Sequence, residues 1–253
     1  MNNKKLFFVL ITFLFIAHFC GADDTFLGGF GSTVFPLQSK DIVLKSQKVL
    51  ITLPDLSEPP ETHFGYYWVN YDLSFVFYNQ GKSQWVLMGF PEGEYDEDTG
   101  GDGRLFDFKV EVNGKELKTE KKEGLYPNYN LEIDTVEGKR SFPFSFPTWF
   151  TWKVYFKSGE RKEIKNTFKC KTSCVSGGID KYEVIYILRT GTTWKGPIGS
   201  ATIIVQPINY IFDAQPRNFK KENNTLIWEF KNFEPEFDIK IELTKNKEYL
   251  INK

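Results

Sequence analysis

From Val69 the chain alternates with great regularity. Val69, Tyr71, Leu73, Phe75 and Phe77 share one parity, and Asn70, Asp72 and Ser74 the other. Successive side chains of a strand point to opposite faces, so this stretch reads as a strand with one face in the core and one in water. Phe106, Phe108, Val110 and Val112 repeat the pattern against Asp107, Lys109 and Glu111. Phe150, Trp152, Val154 and Phe156 repeat it again. Residues 182–188 are almost wholly apolar, which predicts a central strand, and Ile239, Ile241 and Leu243 predict the last one. The 25 Phe, 12 Tyr and 6 Trp favour strands over helices. No long segment carries a helical period.

The turn chemistry agrees. Asn113-Gly114 separates two strand-like runs, a strong hairpin signal. Asn79-Gln80-Gly81-Lys82 and Ser158-Gly159-Glu160 join other strand pairs, and Asn223-Asn224 precedes the Leu226, Trp228, Phe230 alternation. Strands at this spacing predict an all-β fold of antiparallel sheets, arranged as two consecutive immunoglobulin-like β-sandwich halves. Turn formers, charges and prolines cluster through the middle of the chain. The expected division is therefore an N-terminal sandwich over 23–125, a connecting segment over 126–147 and a C-terminal sandwich over 148–253. A single sandwich whose sheets exchange strands across the middle fits the same pattern. No repeat of fixed period is present.

The start of the chain predicts export. Lys4 and Lys5 precede an uncharged apolar run over 6–16, and Cys20-Gly21-Ala22 places small residues before Asp23. These are the parts of a cleavable signal peptide over 1–22. The expected location is secreted, periplasmic or at the cell surface. Lipid attachment at Cys20 is the alternative, against which stand bulky Phe19 and Ala17 at positions where a lipoprotein signal has other residues. No later run is apolar enough to span a bilayer as a helix. The 32 basic and 33 acidic residues give a net charge of −1, and loss of Lys4 and Lys5 takes it to −3. That balance offers no basic surplus for nucleic acid and no polybasic run for anionic lipid. Cleavage leaves Cys170, Cys174 and His63 as the only residues of their kinds. In an oxidising compartment the C-x3-C pair predicts a local disulfide, with two thiols as the alternative. A zinc site needs about four ligands, and His63, in a proline-containing loop, reads as a surface residue.

Five segments together resemble a known group. They are Gly28-Gly29-Phe30-Gly31-Ser32-Thr33-Val34-Phe35-Pro36-Leu37, Val86-Leu87-Met88-Gly89-Phe90-Pro91-Glu92, Phe108-Lys109-Val110-Glu111-Val112-Asn113-Gly114, the run from Tyr186-Ile187-Leu188-Arg189-Thr190-Gly191 into Trp194-Lys195-Gly196-Pro197-Ile198-Gly199, and Trp228-Glu229-Phe230-Lys231-Asn232-Phe233-Glu234-Pro235. The chain resembles an exported prokaryotic family of unknown function, domain of unknown function 4424 or a close relative. The Thr190-to-Gly199 run is the most specific part of the match. The resemblance implies an extracytoplasmic β protein, with no established activity and no active-site residues to carry over.

Four places are candidate sites. The acidic loop over 92–103 partly echoes a calcium loop, with Asp96, Asp98 and Asp102 as candidate ligands and Gly101 at the sixth position. Gly100 and Asp107 stand where that loop needs a side-chain oxygen and a Glu, so a solvated hairpin loop is the simpler expectation. Trp194 and Lys195, bracketed by glycines, are candidate ligand contacts, since a Trp there can stack on a sugar or anchor a protein. The other reading has Trp194 plugging the end of the sandwich while glycines supply positive φ. Trp149, out of phase with its aromatic neighbours, is expected at the surface. Glu183, on the predicted central strand, is a candidate buried acid. The leading expectation is a non-enzymatic binding or interaction protein with a protein or cell-envelope partner and no cofactor. The alternatives are a carbohydrate-binding module with a Trp194 or Trp149 platform, and a hydrolase with a carboxylate pair. Asn223-Asn224-Thr225 is a glycosylation sequon.

Overall fold

The computed structural model describes residues 30–31, 35–36, 41–60, 65–93, 102–123, 129–135, 138–144, 148–174, 181–188 and 194–246, with the strands at 30–31, 35–36, 129–135, 138–144 and 173–174 described by backbone alone. The expected signal peptide, His63, Asp96 and Asp98 lie outside the described residues.

Among the described residues every regular element is a strand. The first eight are β1 (Phe30–Gly31), β2 (Phe35–Pro36), β3 (Ile42–Thr52), β4 (Trp68–Asn79), β5 (Gln84–Glu92), β6 (Phe106–Val112), β7 (Lys115–Leu117) and β8 (Glu120–Glu123). Then come β9 (Tyr129–Thr135), β10 (Gly138–Phe144), β11 (Thr148–Phe156), β12 (Arg161–Lys171), β13 (Ser173–Cys174) and β14 (Lys181–Tyr186). The last are β15 (Ile198–Gln206), β16 (Ile211–Gln215), β17 (Lys220–Glu222), β18 (Thr225–Phe233) and β19 (Ile239–Thr244).

An eight-stranded sheet of order β17-β18-β15-β3-β4-β12-β6-β7 dominates. A four-stranded sheet, β2-β5-β11-β8, and a five-stranded sheet, β1-β14-β19-β16 with β13 on β14, contribute to the same core. β9 and β10 form a separate antiparallel pair. Most pairings are antiparallel as expected, but β15 runs parallel to β3, and β1 parallel to β14.

This pairing corrects the expectation of two consecutive halves. In the large sheet β12, from the second half, lies between β4 and β6, from the first. Likewise β3 pairs with β15, and β5 with β11. One hydrophobic cluster then runs from Phe75 and Phe77 through Phe90 and Trp152 to Ile241. The two parts of the chain share sheets and share a core, the exchanged-strand arrangement.

The turns explain why. Asn113-Gly114 is a hairpin turn, with φ of 50° and 76°, between β6 and β7. Glu222 pairs with Thr225, so Asn223-Asn224 closes another. The segments at 79–82 and 158–160 instead carry the chain between layers: β4 and β12 lie in the large sheet, β5 and β11 in the four-stranded one. Buried Asn79 ties both crossings together. Its Nδ2 donates to the carbonyls of Lys82 (2.9 Å) and Lys157 (3.0 Å), and its Oδ1 accepts from the Gly81 amide (3.0 Å). Such an amide satisfied on every side fixes a corner that an apolar residue could not.

Candidate functional site

The inner faces of β3, β4 and β12 are mostly apolar, carrying Val49, Ile51, Tyr71, Leu73, Phe75, Phe77, Ile164 and Phe168, with Gln47 and Asn166 as buried polar exceptions. Their outer faces are polar and hold a depression of about 340 Å³. Short side chains form its middle. Thr52 pairs across to Asn70 on β4, and Asp72 pairs across to Thr167 on β12. Longer ones, Lys109 and Lys169, stand on the β6 and β12 side. The hollow therefore follows from side-chain length on a single sheet face.

A β-bulge shapes that side. Thr167 is opposite Lys109, but Lys169 is opposite Phe106, so Asp107 and Phe108 together face Phe168. Asp107 takes φ of 55°, a left-handed conformation tolerated best by Gly, Asn and Asp. The extra residue reverses the facing of whatever precedes it. Phe108 points inward, where it stacks on Phe150 at 4.5 Å. Phe106 is carried to the outer face, edge-on to Trp68 at 4.9 Å. The expectation that Phe106, Phe108, Val110 and Val112 share one face is corrected at this point. Asp107, freed from the strand alternation, pairs with Lys169 at 3.0 Å.

Beside the depression the outer face closes into an aromatic and ionic cluster. The Lys171 ammonium sits 4.2 Å from the Tyr66 ring centre and 5.3 Å from that of Phe106. Lys169 lies over Trp68 at 4.5 Å. A cation over a ring face is attracted by its quadrupole. Asp102 anchors the cluster, bonded to Arg104 Nε at 2.7 Å and Lys171 Nζ at 2.8 Å, with 3% of its side chain exposed. Burial pushes its carboxyl up, but hydrogen bonds from Arg104 and Lys171 outweigh this and hold it below the usual carboxylate range. Asp102 is thus engaged by two cations, while the other two calcium candidates, Asp96 and Asp98, lie outside the described residues. No metal-ligating group of three acids, His or Cys is present among the described residues.

The other candidates fall elsewhere. Trp194 is buried against Phe77, with ring centres 4.4 Å apart, and shows no ring face to solvent. The glycines after it have separate roles. Gly196 takes φ of 69°, and any Cβ on Gly199 would meet the Lys45 carbonyl. Lys195 is exposed, its ammonium 3.7 Å from Asp41. Trp149, expected at the surface, is buried, so strand parity alone misplaced it. Among the described residues the most exposed aromatic is Trp85, 66% exposed, paired across the four-stranded sheet with Tyr155. Glu183 is a buried acid as expected, and Lys240 neutralises it. No disulfide is seen among the described residues. Cys170 is buried on the inner face of β12, and burial, with the charges of Asp102 and Glu92, pushes its thiol well up. The Cys174 side chain lies outside the described residues.

No family model and no curated protein matches the sequence. A solved structure of a candidate nutrient-binding protein from Legionella pneumophila is similar over 86% of this chain and 71% of its own, with a TM-score of 0.68 and 20% identity. At that identity the likeness is one of fold: a mainly antiparallel, all-β architecture. An M1 zinc metallopeptidase from Deinococcus radiodurans aligns at a TM-score of 0.38 and 8% identity, over 83% of this chain and 43% of its own, too slight a likeness to bear on fold or chemistry.

Proposed function

We propose that this is an exported, non-enzymatic binding protein of the cell envelope, and that its ligand site is the outer-face depression between Thr52 on β3 and Lys109 on β6. The observation that carries the reading is the depression itself. Its volume lies within the range of about 300–1,000 Å³ found for small-ligand sites. Its middle offers the hydroxyls of Thr52 and Thr167, the Asn70 amide and the Asp72 carboxylate, groups that orient a polar ligand by hydrogen bonding. The fold likeness to a candidate nutrient-binding protein supports a binding role. The apolar run over 6–16, the small residues before Asp23 and the resemblance to the exported family of unknown function support export.

Two experiments test the reading. Mass spectrometry of the protein recovered from its source cell should show a mature chain beginning at Asp23; an unprocessed N-terminus contradicts export. A thermal-shift screen of small polar compounds should find ligands that stabilise the wild type but not Thr167→Trp, which fills the depression. Equal stabilisation of both places the site elsewhere.

A further inference from the structure

The geometry points to a zwitterionic ligand, a free amino acid or a dipeptide, held in the depression with its ammonium on Asp72 and its carboxylate on Lys109. This rests on the depression being the ligand site.

The charges there divide cleanly. Asp107 and Lys169 neutralise each other at 3.0 Å. Asp72 and Lys109 are exposed and make no ion pair among the described residues. They are not remote from each other. Thr167 on β12 is opposite Asp72 on one side and Lys109 on the other. Two strand spacings put their Cα atoms about 10 Å apart. Left without ion-pair partners among the described residues, on strands two apart, this carboxylate and ammonium suit a molecule with the reverse charges at its two ends. Lys109's flexible stem lets its ammonium follow ligands of slightly different length. The hydroxyl of Thr167 lies between them, and the amide of Asn70 stands two residues along β4 from Asp72, both placed for the peptide or side-chain groups of such a ligand.

The same face argues against a sugar. Saccharide sites use open aromatic faces; Tyr71 and Phe168, which line the depression, are buried on the inner face, and Trp68 beside it already carries the Lys169 ammonium at 4.5 Å and packs edge-on against Tyr66 and Phe106. The open pair, Trp85 and Tyr155, stands on the four-stranded sheet, and its rings are tilted 51° to each other, so they form no flat platform.

Isothermal titration of the full mature chain with diglycine tests the inference. Acetylating the amine, or amidating the carboxylate, should weaken binding about tenfold or more, since each removes a charge-assisted contact. Asp72→Asn should weaken diglycine comparably and become indifferent to acetylation. Lys109→Gln should become indifferent to amidation. Binding should fall as salt is raised. If an uncharged sugar binds wild type and not Thr167→Trp, while diglycine does not bind, the depression stands as the site and the zwitterion inference falls. Equal binding of diglycine and its acetylated or amidated forms also overturns the inference. If neither class binds and Thr167→Trp changes nothing, the reading of the depression as the site falls with it.

Discussion

Asp102 and Asp72 meet the same outer surface of the large sheet and have opposite surroundings. The Asp102 side chain is 3% exposed and bonded to both Arg104 and Lys171, with Tyr66, Trp68 and Phe106 packed around the cations. Asp72 is exposed, and its cationic counterpart Lys109 stands two strands away. The first arrangement is complete and contributes to holding the sheet. The second is incomplete and leaves charge for something else to meet.

The largest expected effect lies at the completed cluster. Asp102→Ala should lower unfolding stability by about 2–3 kcal/mol, because it strands Lys171 beneath aromatic rings without its carboxylate. Chemical denaturation checks this, and a loss no larger than that of Asp72→Ala breaks the comparison. The cluster also predicts a pH dependence. The folded carboxyl of Asp102 titrates below its unfolded value of about 3.9. Its contribution is therefore present above that pH and is lost as pH falls through the lower folded value. The stability gap between wild type and Asp102→Asn should narrow from pH 5 toward pH 2. A constant gap would deny the ion pairing.

A smaller effect of opposite sign is expected beneath the depression. Asn166 points inward from β12, fully buried, and its amide oxygen and nitrogen have no hydrogen-bond partner among the described residues. Asn166→Leu removes that unmet desolvation and should raise stability by about 1–2 kcal/mol. A loss of stability would show that the amide is satisfied in solution, for instance by an interior water. The smallest effects belong to the depression. Asp72→Asn and Lys109→Gln should change stability by less than about 0.5 kcal/mol, as surface substitutions without partners do. Larger losses would make those residues part of the scaffold.

Strands were legible in the sequence wherever one face is buried. The Val69-to-Phe77 alternation became the inner face of β4, and Asn113-Gly114 became a turn. Which strands pair was not legible. Asn79 and Gly159 sit in turns that look like hairpin signals, yet the chain changes layer there, because the side chain of Asn79 binds the backbone of a turn far along the sequence. The depression was hidden for a related reason. Its residues read as the wet face of ordinary strands, and they come together only when β12 inserts between β4 and β6. The bulge at Asp107 adds a facing reversal that period-two reasoning cannot see, although a residue type tolerant of positive φ at that point was a faint signal.

The most direct measurement is the map of backbone amide chemical-shift changes on adding diglycine to the isotope-labelled protein. Changes should concentrate at Thr52, Asn70, Asp72, Lys109 and Thr167, on the outer face between β3 and β6, and leave the Asp102 cluster nearly still. Changes centred on Trp85 and Tyr155, or scattered without a focus, would contradict the account.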